Sequence, residues 1–229
     1  LVRSCLALYD CATTYGIPII SGKDSMKNDY YSGDKKYSIP PTLLVTMIGK
    51  IDNISKAVSS EFKAPGDYIY VLRKTRDELG GSEFYRLFGG VGNTPPQLKP
   101  EEHIAVYKCL SHAIEERLVA SAHDLSEGGL AVAFAECSIG FGLGAELDLE
   151  QLSSESKREH ALLFSESAGR FVVSVHPDNL EKFEKAMHGA IFSKVGRVRG
   201  DRRFIIRSGD KIIINDAVDT FKEAYNKGI

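Results

Sequence analysis

From Asp67 onward, short apolar runs of strand length and segments with helical spacing follow one another without strict alternation. That irregular order is what most limits the fold, because it rules out a regularly wound parallel sheet and indicates α+β. Strands are expected over 68–72, 145–149, 171–175, 194–198, 204–206 and 211–214, and helices over 80–88, 102–118, 129–137, 179–187 and 217–225. Val172-Val173-Ser174-Val175 and Ile212-Ile213-Ile214 read as core strands. Upstream, Val2, Cys5, Leu6, Tyr9 and Ala12 recur at helical spacing, Gly16 suits a left-handed helix end, and Pro18 cannot extend the helix. Ile17-Pro18-Ile19-Ile20 is expected as a short buried strand, 28–38 as an exposed loop or hairpin tip, and 42–49 as an apolar strand. Lys63-Ala64-Pro65-Gly66-Asp67 reads as a linker, so the domains are placed at 1–62 and 63–229. The helical pattern starts with neither an initiator Met nor a capping residue ahead of it, so a piece of a longer protein is expected.

Lys and Arg number 29 against 31 Asp and Glu, a balance that leaves no electrostatic footprint for nucleic acid or an anionic membrane. No apolar run reaches the ~20 residues of a membrane span, and Arg3 and Asp10 interrupt any secretory pattern at the start. Cys5, Cys11, Cys109 and Cys137 lack CxxC spacing, so reduced, buried thiols in a cytoplasmic protein are expected rather than a zinc site.

Two polar clusters carry the chemistry. His123-Asp124-Leu125-Ser126-Glu127-Gly128-Gly129-Leu130 places a carboxylate, a hydroxyl and paired glycines at the mouth of a helix. Those are the groups a Mg-phosphate site requires: oxygen ligands for the metal and amides that phosphate oxygens can approach. Ser21-Gly22-Lys23-Asp24-Ser25-Met26 follows an apolar strand pattern and offers the same inventory with a cation added. Each has a plainer rival. Asp124 or Ser126 also suits a helix N-cap, Gly128-Gly129 also suits close packing, Gly22 suits a tight turn, and Lys23-Asp24 suits a solvated pair. Gly80-Gly81-Ser82 suits a helix start with Ser82 near the cap better than a phosphate loop, and His123 suits a structural hydrogen bond better than a base.

Together with Glu78-Leu79-Gly80-Gly81-Ser82-Glu83-Phe84 and Leu163-Phe164-Ser165-Glu166-Ser167-Ala168-Gly169-Arg170-Phe171, the two clusters occur in an order that resembles the carboxyl-terminal half of the synthetase subunit of phosphoribosylformylglycinamidine synthases. The resemblance implies the tail of an aminoimidazole ribonucleotide (AIR) synthetase-like A domain, half of a β-barrel, followed by a B domain, an α/β sandwich. It implies the ligase reaction of purine biosynthesis that converts formylglycinamide ribonucleotide, glutamine-derived ammonia and ATP to formylglycinamidine ribonucleotide, ADP and phosphate. The cofactors would be ATP and Mg²⁺. The partners would be formylglycinamide ribonucleotide, a glutaminase subunit or fused glutaminase domain, and the other half of the synthetase.

Carried over residue by residue, the resemblance puts Gly22 on ATP, Ser25 on substrate, Asp124 on Mg²⁺ and Ser126 on nucleotide. Lys23 stands where some relatives place a metal-ligating Asn. An ammonium has no lone pair to give a metal, so Lys23 is assigned to a phosphate, as in long relatives with Gly-Lys-Asp-Ser-Met. No catalytic residue is assigned. Glu166 and Ser167 match a substrate-contacting Glu-Ser-Gln stretch, but Ala168 replaces the Gln, which points to a helix or turn anchor instead. Two other readings stand beside the ligase: a scaffold half that holds an auxiliary nucleotide, and another ATP enzyme of the superfamily, such as aminoimidazole ribonucleotide synthetase, selenophosphate synthetase or thiamine monophosphate kinase.

Overall fold

The computed structural model describes residues 1–25 and 28–228. It divides into two compact units, Leu1–Asp52 and Asn53–Ile229.

In the first unit, helix α1 spans Val2–Tyr15 and ends on Gly16 at φ 68, whose left-handed backbone turns the chain out of the helix. None of its residues is buried. Strands β1 (Asp29–Ser32) and β2 (Lys35–Ser38) form the hairpin expected over 28–38. Gly33 takes φ 59 at the first central position of its two-residue turn, where an L side chain is disfavoured. The strands expected over 17–20 and 42–49 are not formed, and Ile19, Ile20, Leu44 and Ile48 are exposed. An apolar run becomes a strand only when a neighbouring strand takes its amides and carbonyls, and neither run pairs with one among the described residues.

In the second unit the elements follow as β3 (Tyr68–Leu72), α2 (Glu83–Leu87), α3 (Pro100–Glu115), β4 (Ser121–Asp124), α4 (Gly129–Ile139), β5 (Gly144–Asp148), α5 (Glu159–Phe164), β6 (Phe171–Val175), α6 (Leu180–Ala186), β7 (Phe192–Arg199), β8 (Arg203–Ser208), β9 (Lys211–Ala217) and α7 (Val218–Lys227). The seven strands make one sheet in the order β4-β6-β3-β7-β5-β8-β9. Every pairing is antiparallel except β5 with β8, so the architecture is α+β, as expected.

β3 lies inside the sheet and is apolar on both faces because both are covered. Ile69 and Val71 meet Leu130, Phe134 and Cys137 of α4 and Leu162 and Leu163 of α5 in one core cluster. Tyr70 and Leu72 meet Val106 and Leu110 of α3 and Phe183 of α6 in the other. At ~25 cal/mol per Å² of apolar area buried, these aromatic and aliphatic side chains dominate the favourable side of folding.

The compact division falls at Asp52/Asn53, ahead of the 62/63 boundary placed from the sequence. Phe62 accounts for the difference: it is fully buried edge-on to Phe134, 5.8 Å between ring centroids, and its amide donates to the Cys137 carbonyl at 2.9 Å. β4 and α5 were not expected as elements. Of the four thiols, all free, Cys137 is buried, Cys11 and Cys109 are partly covered, and Cys5 is exposed on α1, contrary to the expectation that all are buried. No helix among the described residues is long and apolar enough to cross a membrane.

Candidate functional site

β4 runs antiparallel to β6, pairing Ser121 with Ser174 and Asp124 with Phe171, and delivers the polar cluster at its carboxyl end. The Leu125 amide donates to the Arg170 carbonyl at 2.9 Å, and Leu125 is buried, so the loop is pinned between the two residues whose side chains face solvent. Those are Asp124, 66% exposed, and Ser126. His123 Nε2 lies 2.9 Å from Glu136 Oε2, which ties β4 to α4 and leaves its Nδ1 3.4 Å from Asp124 Oδ1. That is a structural hydrogen bond of the kind expected for His123.

The capping rival for Asp124 and Ser126 fails at α4. Its N-cap is Gly128, in left-handed backbone, with no side-chain cap. The Gly128 amide donates instead to Glu166 Oε1 at 2.9 Å, and the same oxygen accepts from the Glu83 amide at 2.9 Å. Glu166 is thus the helix anchor expected of it, serving α4 and α2 together. The packing reading of the glycine pair is met at Gly129: at φ 65, a Cβ there would stand 2.5 Å from the Ser165 carbonyl oxygen. Gly80 and Gly81 direct their amides to the Thr94 and Val91 carbonyls at 2.9 and 2.6 Å, and Ser82 Oγ caps α2 by accepting from Tyr85 N. Those amides are spent within the fold.

Asp124, Ser126, Glu127 and Glu166 line one open cleft of about 420 Å³ with Pro96, Tyr107, Phe171 and residues 168–170. Behind it lies Arg170, fully buried, whose guanidinium donates to Ser167 O and Thr75 Oγ1, both at 3.0 Å, and to Ser165 O. Burial brings its pKa down to about 10, which still leaves it charged at neutral pH. Ser165 and Ser167 are buried beside it, with Ser165 Oγ 2.6 Å from the Arg76 carbonyl and 3.1 Å from Ser167 Oγ. Among the described residues no group of three His, Cys, Asp or Glu side chains could hold a metal ion by itself. One exposed carboxylate beside a hydroxyl suits Mg²⁺ arriving on phosphates, since that ion keeps waters and takes one or two protein carboxylates.

Gly22, Lys23 and Ser25 lie in the first unit, exposed and outside regular structure; Met26 of their motif is outside the described residues. Lys23 Nζ donates to Ser25 Oγ at 2.8 Å and to the Asp24 carbonyl. A hollow of about 450 Å³ in that unit is lined by Cys5, Leu8, Tyr9, Ile17 and other residues of α1 and the segment after it, and by none of these three.

Residues 64–209 match the family described as AIR synthase related protein, C-terminal domain, and the chain belongs to that family. It is 35% identical over 226 residues to the phosphoribosylformylglycinamidine synthase subunit PurL of Thermococcus sibiricus, a match that covers 98% of this chain and 31% of the relative. The same-named subunit of Methanococcus aeolicus is 31% identical, over 98% of this chain and 30% of the relative. The chain therefore spans about a third of the length of the curated relatives it matches. Among solved structures, PurL of Thermotoga maritima complexed with the ligand abbreviated FGAR superposes with a TM-score of 0.64 and the same protein complexed with ATP with 0.61. Each is 20% identical and covers 73% of this chain, against 30% and 27% of the other chain, so the likeness is one of fold.

Proposed function

We propose that this chain is the carboxyl-terminal part of the synthetase component of a phosphoribosylformylglycinamidine synthase, with the first unit the tail of an A domain and the second unit the B domain. In this reading the complete enzyme is a ligase that joins glutamine-derived ammonia to formylglycinamide ribonucleotide at the expense of ATP. A glutaminase, fused or separate, supplies the ammonia. The identity to PurL subunits over nearly the whole chain supports it, as do solved PurL complexes with ATP, ADP and FGAR.

The observation that carries the reading is the placing of Asp124 and Ser126 side by side at the end of β4, on an open cleft and free of capping duty. Asp124 would ligate Mg²⁺ and Ser126 would donate to a phosphate oxygen, while in the first unit Gly22 and Lys23 would approach phosphate and Ser25 substrate. Bound there, Mg²⁺ supplies charge neutralisation of the polyphosphate. The chain's own residues fix where the phosphates sit.

A second reading, that this part holds a nucleotide without reacting it, is favoured by one feature. The exposed charges lining the cleft are carboxylates, and its guanidinium is turned to the Ser165 and Ser167 carbonyls and Thr75 Oγ1. A phosphoryl-transfer site is expected to aim a cation at the transferred group. Calorimetric titration of ADP with Mg²⁺ tests the common part of both readings. Binding is expected, and Asp124→Asn should weaken it by about tenfold, since an amide neutralises no charge on a hard cation. Equal affinity in Asp124→Asn with an unchanged melting temperature would remove Asp124 from the site.

A further inference from the structure

Glu166 joins two helix starts: its Oε1 accepts from the amide of Gly128, the residue ahead of α4, and from the amide of Glu83, the first residue of α2, both at 2.9 Å. It does so from the wall of the same cleft that displays Asp124 and Ser126. Asp124 and Glu127 add two further carboxylates to that wall, and Arg170 spends its donors on Ser165, Ser167 and Thr75. A bare polyphosphate entering the cleft therefore meets like charge. One carrying a divalent cation meets opposite charge.

We propose that Glu166 is a positioning and selecting residue: it fixes the loop from Asp124 to Gly128 by its shared oxygen, and its charge restricts the cleft to polyphosphate in complex with a divalent cation. The inference rests on the nucleotide reading of this cleft. It adds which residue sets the loop and why the metal-free ligand is refused.

Titration of ADP into the full chain, with Mg²⁺ and with EDTA, on the parent, Glu166→Gln and Glu166→Ala tests it. Gln keeps an oxygen for both amides and removes the charge. The parent should bind ADP at least about tenfold more tightly with Mg²⁺, and Glu166→Gln should narrow that ratio by roughly threefold or more by strengthening metal-free binding. A purely structural role would leave the ratio untouched, so an unchanged ratio at unchanged melting temperature overturns the selecting role. Glu166→Ala should speed hydrogen exchange at the Gly128 and Glu83 amides by about tenfold or more, and unchanged protection there overturns the positioning role. Parent protein that binds ADP in neither condition refutes the nucleotide reading and the selecting role with it, while exchange at the two amides still decides whether Glu166 sets the loop.

Discussion

Gly129→Ala separates a glycine kept for packing from one kept for a ligand. Two costs act at this position. The backbone sits at φ 65, where a Cβ is disfavoured by roughly 1–2 kcal/mol. The added Cβ would also stand 2.5 Å from Ser165 O, 2.9 Å from Phe164 C and 3.0 Å from Leu163 O, all main-chain atoms that cannot rotate away. Overpacking of that kind costs about 1–3 kcal/mol. The sum, roughly 2–5 kcal/mol, corresponds to a melting temperature lower by roughly 4–20 °C for a unit of this size. Gly81→Ala is the internal reference. Its φ is 75 and nothing lies within 4 Å of a Cβ there, so the conformational term alone applies and the loss should be roughly 2–8 °C. Differential scanning calorimetry of both variants measures the difference. If Gly129→Ala melts no lower than Gly81→Ala yet loses ADP binding, the close approach of α4 to residues 163–165 is not what requires the glycine.

Ser126→Ala should weaken Mg-ADP binding by about 1 kcal/mol, the worth of one hydrogen bond, and leave the melting temperature unchanged; an effect as large as that of Asp124→Asn in the same titration would mean Ser126 does more. Asp67 is buried with Oδ1 unpartnered, and desolvation raises its pKa against a smaller opposing effect of His176. For an acid whose folded pKa is raised, stability is lost as pH climbs from the unfolded value near ~4 through the folded one. Asp67→Asn should therefore raise the melting temperature at pH 7, with the gain fading as pH falls toward about 4, and a variant less stable than the parent at pH 7 would contradict this. Limited proteolysis followed by mass spectrometry should leave a resistant fragment beginning near Asn53, because Phe62 is locked into the core; cleavage between Phe62 and Asp67 with loss of the upstream piece would favour the later boundary.

How much was legible follows from where each signal resides. β3 and β6 coincide with the expected ranges because both are buried on two faces and read as apolar runs of strand length, with Ser174 the one polar residue in β6. β4 escaped notice because Ser-Ala-His-Asp is polar and lies at the sheet edge, where only β6 pairs with it as a strand. α5 is six residues long, too short for a periodic pattern to stand out. The runs at 17–20 and 42–49 failed in the opposite direction: their composition is right, but strand formation depends on a partner elsewhere, which a local window cannot see. In the site, Asp124 and Ser126 stood out because paired glycines break a helix pattern beside them. Glu166 could be recognised as an anchor, but its two helices could not, because the amides it accepts lie 38 and 83 residues away.

The buried guanidinium of Arg170 has a consequence for how the cleft answers to acidity. With its pKa at about 10 it stays charged across the physiological range, so the positive charge behind the cleft is constant. Its bonds to Ser165 O, Ser167 O and Thr75 Oγ1 therefore stay engaged across that range, and residues 165–170 are held by a charge that lies out of reach of solvent.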